Sequence, residues 1–274
     1  MKYYRQKGVF MRKIGINMDP ILGMDDVIYI KKIAELGFSA IHSCVFDKER
    51  LARIADACVE NGVEYENLHA PFGHINDIWF DGDAGEEMLK ELLKCVDMCV
   101  LVGAKISVVH MSSGENAPPV TDIGRRRFTK LIDYAKQKDI RLAFENQRKI
   151  SNLAWVFENF TSDDNVGFCW DCGHEKCFTP GKEFMNLFGE RLICTHIQDN
   201  FWIYNQDSHL LPFDGSIDFG KVLKNLERVN FKGNLMLEVL AQNSNMYDSV
   251  SVFEYLSKAE ESAKKLLTLE RVSR

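Results

Sequence analysis

Short apolar runs recur along this chain. Each is followed by a longer stretch in which apolar positions return every three or four residues. The short runs read as β-strands at 13–18, 40–46, 65–70, 106–111, 141–145, 166–170, 193–197 and 235–239. The longer stretches read as amphipathic helices at 25–36, 49–60, 86–102, 123–137, 152–160, 183–188, 219–229 and 251–267. Turn signals at Leu36-Gly37, Asn61-Gly62, Val102-Gly103 and Lys232-Gly233 fall where a helix must stop and a strand begin. Parallel strands need long crossovers, so strict alternation implies a parallel sheet. Eight strand–helix units match a closed (β/α)8 barrel, an α/β fold. The competing architecture is an open doubly wound sheet. Its dinucleotide-binding form needs a glycine-rich turn after the first strand, where this chain has Asn17-Met18-Asp19-Pro20.

The 274 residues read as one domain, 1–274, with residues 1–11 as an N-terminal extension and 12–267 as the barrel. Met11 is a candidate alternative start, because the first strand begins just after it. An apolar fraction of 46% suffices for a large core. The net charge of −6 and pI near 5.7 argue against nucleic acid or an anionic membrane as partner, although a local basic patch can coexist with net acidity. No apolar run is long enough to span a membrane, and the polar start is no secretory signal. Of eight cysteines, Cys44, Cys95, Cys99 and Cys194 sit inside apolar runs, which reads as reduced thiols of a cytoplasmic protein. Cys169 and Cys172 form a CxxC without a second pair, the mark of a strand entering its loop.

The chemistry lies at the strand ends. Glu145, Asp171, His196 and Glu238 end the fifth to eighth strands, and a barrel gathers such ends on one face. Three carboxylates and an imidazole make a hard, anionic site suited to Mn²⁺, Mg²⁺, Co²⁺ or Zn²⁺. A single acid in such a place would more simply cap a helix; four on successive strands point to an ion. His69, His110, His174, Asp207 and His209 add metal-type side chains to the same face. His42 and His74 read as structural or surface residues, and the Arg125-Arg126-Arg127 cluster as a solvated helix face. The loop 199–216, with Phe201, Trp202 and Tyr204, is long enough to be a lid.

The ordered set LHAPF, VVHMSSG, LAFENQ, FCWDCGH, THIQDN, DSHLLPFDGSIDF and LMLEV resembles the xylose isomerase-like barrel superfamily from residue 12 to about 267. That group includes sugar-phosphate isomerases, tagatose- and psicose-type 3-epimerases, inosose isomerases and dehydratases, and endonuclease IV. The resemblance implies a divalent-metal-dependent isomerase or epimerase of a sugar or sugar phosphate. Such an enzyme transfers a proton α to a carbonyl through a metal-stabilised enediolate. By position, Glu145, Asp171, His196 and Glu238 match the ligands of one ion. Glu145 and Glu238 match the acid/base pair, and His174 a contact to substrate oxygen. His69, His110, Arg148 and Trp202 fall at substrate-binding positions. The family's usual arginine, six residues after the seventh-strand histidine, is here Trp202, and Arg148 stands as its substitute.

The rival implied by the same resemblance is an endonuclease IV-like hydrolase with three zinc ions. It would use His69, His110 and Glu145; Glu145, Asp171, His196 and Glu238; and His174, Asp207 and His209. Against it stand Gly15-Ile16-Asn17 in place of Gly-Ala-His, the Ala-Pro-Phe after His69, and no basic run to track phosphates. Two further readings are an inosose-type dehydratase and a barrel that binds sugar or metal without turnover. Relatives in the superfamily are often dimers, so a homo-oligomer is compatible with the resemblance.

Overall fold

The computed structural model describes residues 12–18 and 23–272, so the 1–11 extension and the Met11 start lie outside the described residues. The strands are β1 (Ile14–Asn17), β2 (Ala40–Cys44), β3 (Glu64–His69), β4 (Ile106–Val109), β5 (Arg141–Glu145), β6 (Val166–Asp171), β7 (Leu192–His196) and β8 (Leu235–Leu237). The helices are α1 (Asp26–Glu35), α2 (Lys48–Asn61), α3 (Asp83–Val102), α4 (Asp122–Gln137), α5 (Ile150–Asn159), α6 (Cys172–Cys177), α7 (Phe184–Phe188), α8 (Phe219–Arg228) and α9 (Val252–Val272). The eight strands pair in the order β7-β6-β5-β4-β3-β2-β1-β8, all parallel. Ile197 closes the ring. Its N–H donates to Met236 O at 2.7 Å and its carbonyl accepts from Glu238 N at 3.0 Å, joining the end of β7 to β8. This is the (β/α)8 barrel that the alternation implied.

Side chains along each strand alternate between two cores. Outward residues such as Leu68, Val109, Phe144 and Phe168 join a large cluster with the helices. Ile106, Val108, Ala143, Cys169 and Cys194 form a second, small cluster. Two residues further along the same strand faces come His110 after Val108, Glu145 after Ala143, Asp171 after Cys169 and His196 after Cys194. The period of two that fills the barrel therefore also aims these four polar side chains at its C-terminal mouth.

Asp25, Asp47 and Asp218 cap α1, α2 and α8 by accepting backbone N–H bonds, and Gly62, at φ +66°, ends α2. α6 and the 3-10 turn Ile75–Trp79 were not foreseen, because stretches this short carry no helical period. That turn buries Trp79, whose indole N–H donates to Met111 O at 2.6 Å. Gly124 of α4 lies against the same ring, and any Cβ there would overlap it.

The arginine cluster needs correction. Arg125 and Arg126 are exposed, but Arg127 is buried. It donates to the carbonyls of Ile78, Phe80 and Gly82 and pairs with Glu86 at 2.9 Å. It is a clamp between α4 and the turn before α3. No cysteine among the described residues is in a disulfide, and seven of the eight are buried. No helix among the described residues is long and apolar enough to cross a membrane.

Candidate metal centre

Glu145 is at the middle of the barrel mouth, buried, with imidazoles on several sides. Its Oε2 lies 3.2 Å from His69 Nε2 and 2.8 Å from His110 Nε2. Its Oε1 lies 3.1 Å from His174 Nδ1 and 3.2 Å from His196 Nδ1. Glu238 Oε2 approaches the same His196 nitrogen at 3.2 Å. Asp207 Oδ2 bridges His174 Nε2 and His209 Nε2, both at 3.0 Å. Ligand atoms thus fall into groups within 4.8 Å of one another: Glu145, Asp171, His196 and Glu238; His69, His110 and Glu145; His174, Asp207 and His209; and His42, His196 and Glu238.

The donor set fits a divalent cation. Three carboxylates this close in a dry site repel one another unless positive charge sits among them. Asp171 records the strain. Burial pushes its carboxyl up to about 7, His174 opposes this, and Glu145, Glu238 and Asp207 add to the rise. Protons on the imidazoles can balance this charge. Burial works against charge on His196, yet Glu238 and Glu145 outweigh it and hold the imidazole well above its usual range. His174 is raised likewise, burial opposing and Asp171 and Asp207 winning. His209 rises to about 9 against burial, driven by Asp207. Burial would raise Glu145, but His196, His110 and His174 hold it well below the carboxylate range. A bound cation would take the place of these protons.

The supports are built into the loops. Asp171 also caps α6, accepting from His174 N at 2.6 Å, so the helix-cap role and the ligand position coincide. Asn146 brackets the Asp171 backbone with two bonds of 2.8 Å. Gln198 donates to Asp171 and Asp207 and accepts from His209 N. Gln147 Nε2 contacts His110 and His174. The sequence marks these amides only by their place one or two residues past a strand end.

A cavity of about 280 Å³ opens above these groups, lined by Glu145, Glu238, His69, His110, His174, Asp207 and His209 together with Arg148, Phe72 and Phe178. Arg148 stacks over the Phe178 ring at 3.4 Å and donates to Asn205 at 3.0 Å. It is the one arginine or lysine in that lining among the described residues. Trp202 is not brought to the cavity. It is 54% exposed, with φ +62°, under Lys176. Nor is the whole 199–216 segment a free lid: residues 201–206 are exposed, but Ser208 to Leu211 are buried. His74 is exposed, as expected. His42 is not at the surface. It is buried, stacks on His196 at 4.7 Å, and lines the cavity. Burial, then His196, lowers its pKa to about 3, leaving it neutral.

A family model described as xylose isomerase-like TIM barrel matches residues 30–266. An uncharacterized protein of Sinorhizobium fredii is 31% identical over 169 residues, which are 57% of this chain and 52% of that one. The matched stretch is thus about half the length of that relative. The fold is similar to that of a D-tagatose 3-epimerase-like protein (TM-score 0.73, 19% identity, 95% of this chain and 98% of the other). It is also similar to 3-keto-D-glucoside 4-epimerase of E. coli (TM-score 0.70, 18% identity, 94% and 99%). At these identities the likeness is one of fold.

Proposed function

The chain belongs to the xylose isomerase-like TIM barrel family, and on that premise we propose that it is a divalent-metal-dependent isomerase or epimerase of a sugar or sugar phosphate. The observation that carries the reading is the convergence of Glu145, Asp171, His196 and Glu238, from four successive strands, within 4.8 Å, with Glu145 and Glu238 lining the cavity. These four residues would hold the ion. When bound, such an ion supplies Lewis-acid polarisation of a substrate carbonyl.

The rest of the chemistry falls to the chain. A proton α to a carbonyl leaves at neutral pH only if a base is placed against it and the resulting charge is stabilised. Glu238, 14% exposed and open to the cavity, removes it from one face. Glu145 serves the other face. His174, which lines the cavity, contacts the substrate oxygen that gains charge. Arg148, held flat on Phe178, fits a hydroxyl or a single phosphate. The test is hydrogen exchange from a ketose panel in deuterated water. Turnover with solvent deuterium at the α-carbon supports the reading; turnover without it, through an internal hydride shift, sinks it.

A second reading has its own observation. His69, His110 and Glu145, and His174, Asp207 and His209, are complete ligand groups beside the first, and Glu145 is shared. A centre with several ions would suit hydrolysis of a phosphodiester by an ion-activated water. About three zinc ions per chain by elemental mass spectrometry, with cleavage of abasic-site DNA, would favour that alternative. About one ion favours the isomerase.

A further inference from the structure

We propose that His42 is a metal ligand that binds a divalent ion jointly with His196 and Glu238, on the β2 side of the centre. The proposal rests on the reading that His196 and Glu238 hold metal, and adds a position that the family resemblance does not assign.

His42 is 3% exposed, and neither ring nitrogen has a hydrogen-bond partner. Buried polar atoms are almost always satisfied, so a histidine with two idle nitrogens demands an account. Packing alone does not give one. The ring stacks on His196 with an interplanar angle of 23°, and a phenyl ring would stack there without burying idle nitrogens. The nitrogens lie in the ring plane, and the residue lines the cavity.

A His42 nitrogen falls within 4.8 Å of ligand atoms of both His196 and Glu238. Two ligands about 2.1 Å from one ion lie about 3–4 Å apart, so a small side-chain rotation closes the gap. The demand is shared by the surroundings. His196 Nε2 is also without a partner, since only its Nδ1 engages the two glutamates. Asn67, opposite His42 in the β2–β3 register, leaves both amide atoms unpartnered. Two imidazoles and a carboxylate beside an open cavity are what a borderline cation such as Zn²⁺ or Co²⁺ takes.

The test compares the chelator-stripped wild type with His42→Phe, which keeps the stack and removes the nitrogens, and with His74→Asn as surface control. Each is dialysed against Zn²⁺ or Co²⁺, counted by elemental mass spectrometry, and read by cobalt visible absorption. The expected result is loss of one ion per chain, or at least about tenfold weaker binding, with an altered cobalt spectrum in His42→Phe alone. The same count, affinity and spectrum as wild type would overturn the assignment. If His42→Phe does not fold, His42→Gln is read in the same way. Wild type that binds no divalent ion defeats the underlying metal reading. Wild type that binds ions indifferently to His42 defeats only this one.

Discussion

Asp199 governs whether the loop after β7 can deliver its ligands. Its Oδ1 accepts from Asn200 N at 2.8 Å and Ile217 N at 2.9 Å, and its Oδ2 from Phe213 N at 2.9 Å and Gly215 N at 3.0 Å. One buried carboxylate thus ties both ends of the segment that carries Asp207 and His209. Asp199→Asn is nearly isosteric but turns an amide NH2 toward two arriving N–H donors. Two charge-assisted bonds are lost, at about 1.5–3 kcal/mol each, and two N–H groups are stranded. The loss is partly offset, because the carboxylate is costly to bury; desolvation raises its pKa despite the four donors. The net destabilisation is then about 2–4 kcal/mol. For a chain of this size that corresponds to roughly 5–15 °C in Tm. Circular dichroism melts measure it. The variant is also expected to bind ions more weakly through His174, Asp207 and His209, while the Glu145 group remains. A Tm within about 1 °C of wild type, with unchanged ion content, would refute the reasoning.

Arg127→Leu removes the donor to three carbonyls, while half-exposed Glu86 turns to solvent, so urea unfolding should show a loss of about 2–4 kcal/mol; a loss under about 1 kcal/mol contradicts the clamp. Chelation should lower the thermal midpoint, and an ion restored at a hundredfold its Kd should return about 2.7 kcal/mol; a midpoint insensitive to chelator argues against a metal centre. Since His209 rises to about 9, it stabilises the ion-free fold fully below about pH 6.5, and that contribution is lost as pH climbs through 9. Ion binding expels the same protons, so ion affinity should rise over that window while ion-free stability falls. Titrations at pH 6 and 9 with affinity moving the other way would contradict the assignment. Glu238→Gln should slow α-proton exchange by about 10²–10⁴-fold with ion content measured alongside; full exchange excludes Glu238 as the base.

The strand ends were legible because barrel filling and ligand placement share one period. Once Val108, Ala143 and Cys169 face inward, so must His110, Glu145 and Asp171. His42 escaped this logic for a physical reason. It lies inside the 40–46 run rather than at its end, where the other candidate ligands lie, and the register shift beside it skips Glu66 of β3. Gln198 and Asn146 carry no titratable group, and nothing in their local sequence marks them as the brackets of Asp171. Arg127 was misread because its burial depends on carbonyls more than 40 positions away. Trp202 was assigned by its offset from His196, but an offset fixes no direction in a loop whose backbone turns to positive φ at that residue.

Glu145 decides which chemistry this mouth can run. A carboxylate that bridges ions on both sides has its lone pairs committed and cannot also act as a free base. With only the Glu145, Asp171, His196 and Glu238 group filled, His69 and His110 stay as hydrogen-bonding neighbours of Glu145. With the His69 and His110 side filled as well, Glu145 becomes structural. Two-faced proton transfer then loses one of its bases, and hydrolysis by an ion-activated water becomes the chemistry left to the site. Burial lowers the His110 pKa against the pull of Glu145, which eases loss of the proton an ion would displace. Occupancy at the β3–β4 side is therefore the quantity on which the reaction class turns. His110→Asn, which should empty that side first, ought to slow but not abolish α-proton exchange in an isomerase, where His69 still flanks Glu145, and to abolish turnover in a phosphodiester hydrolase.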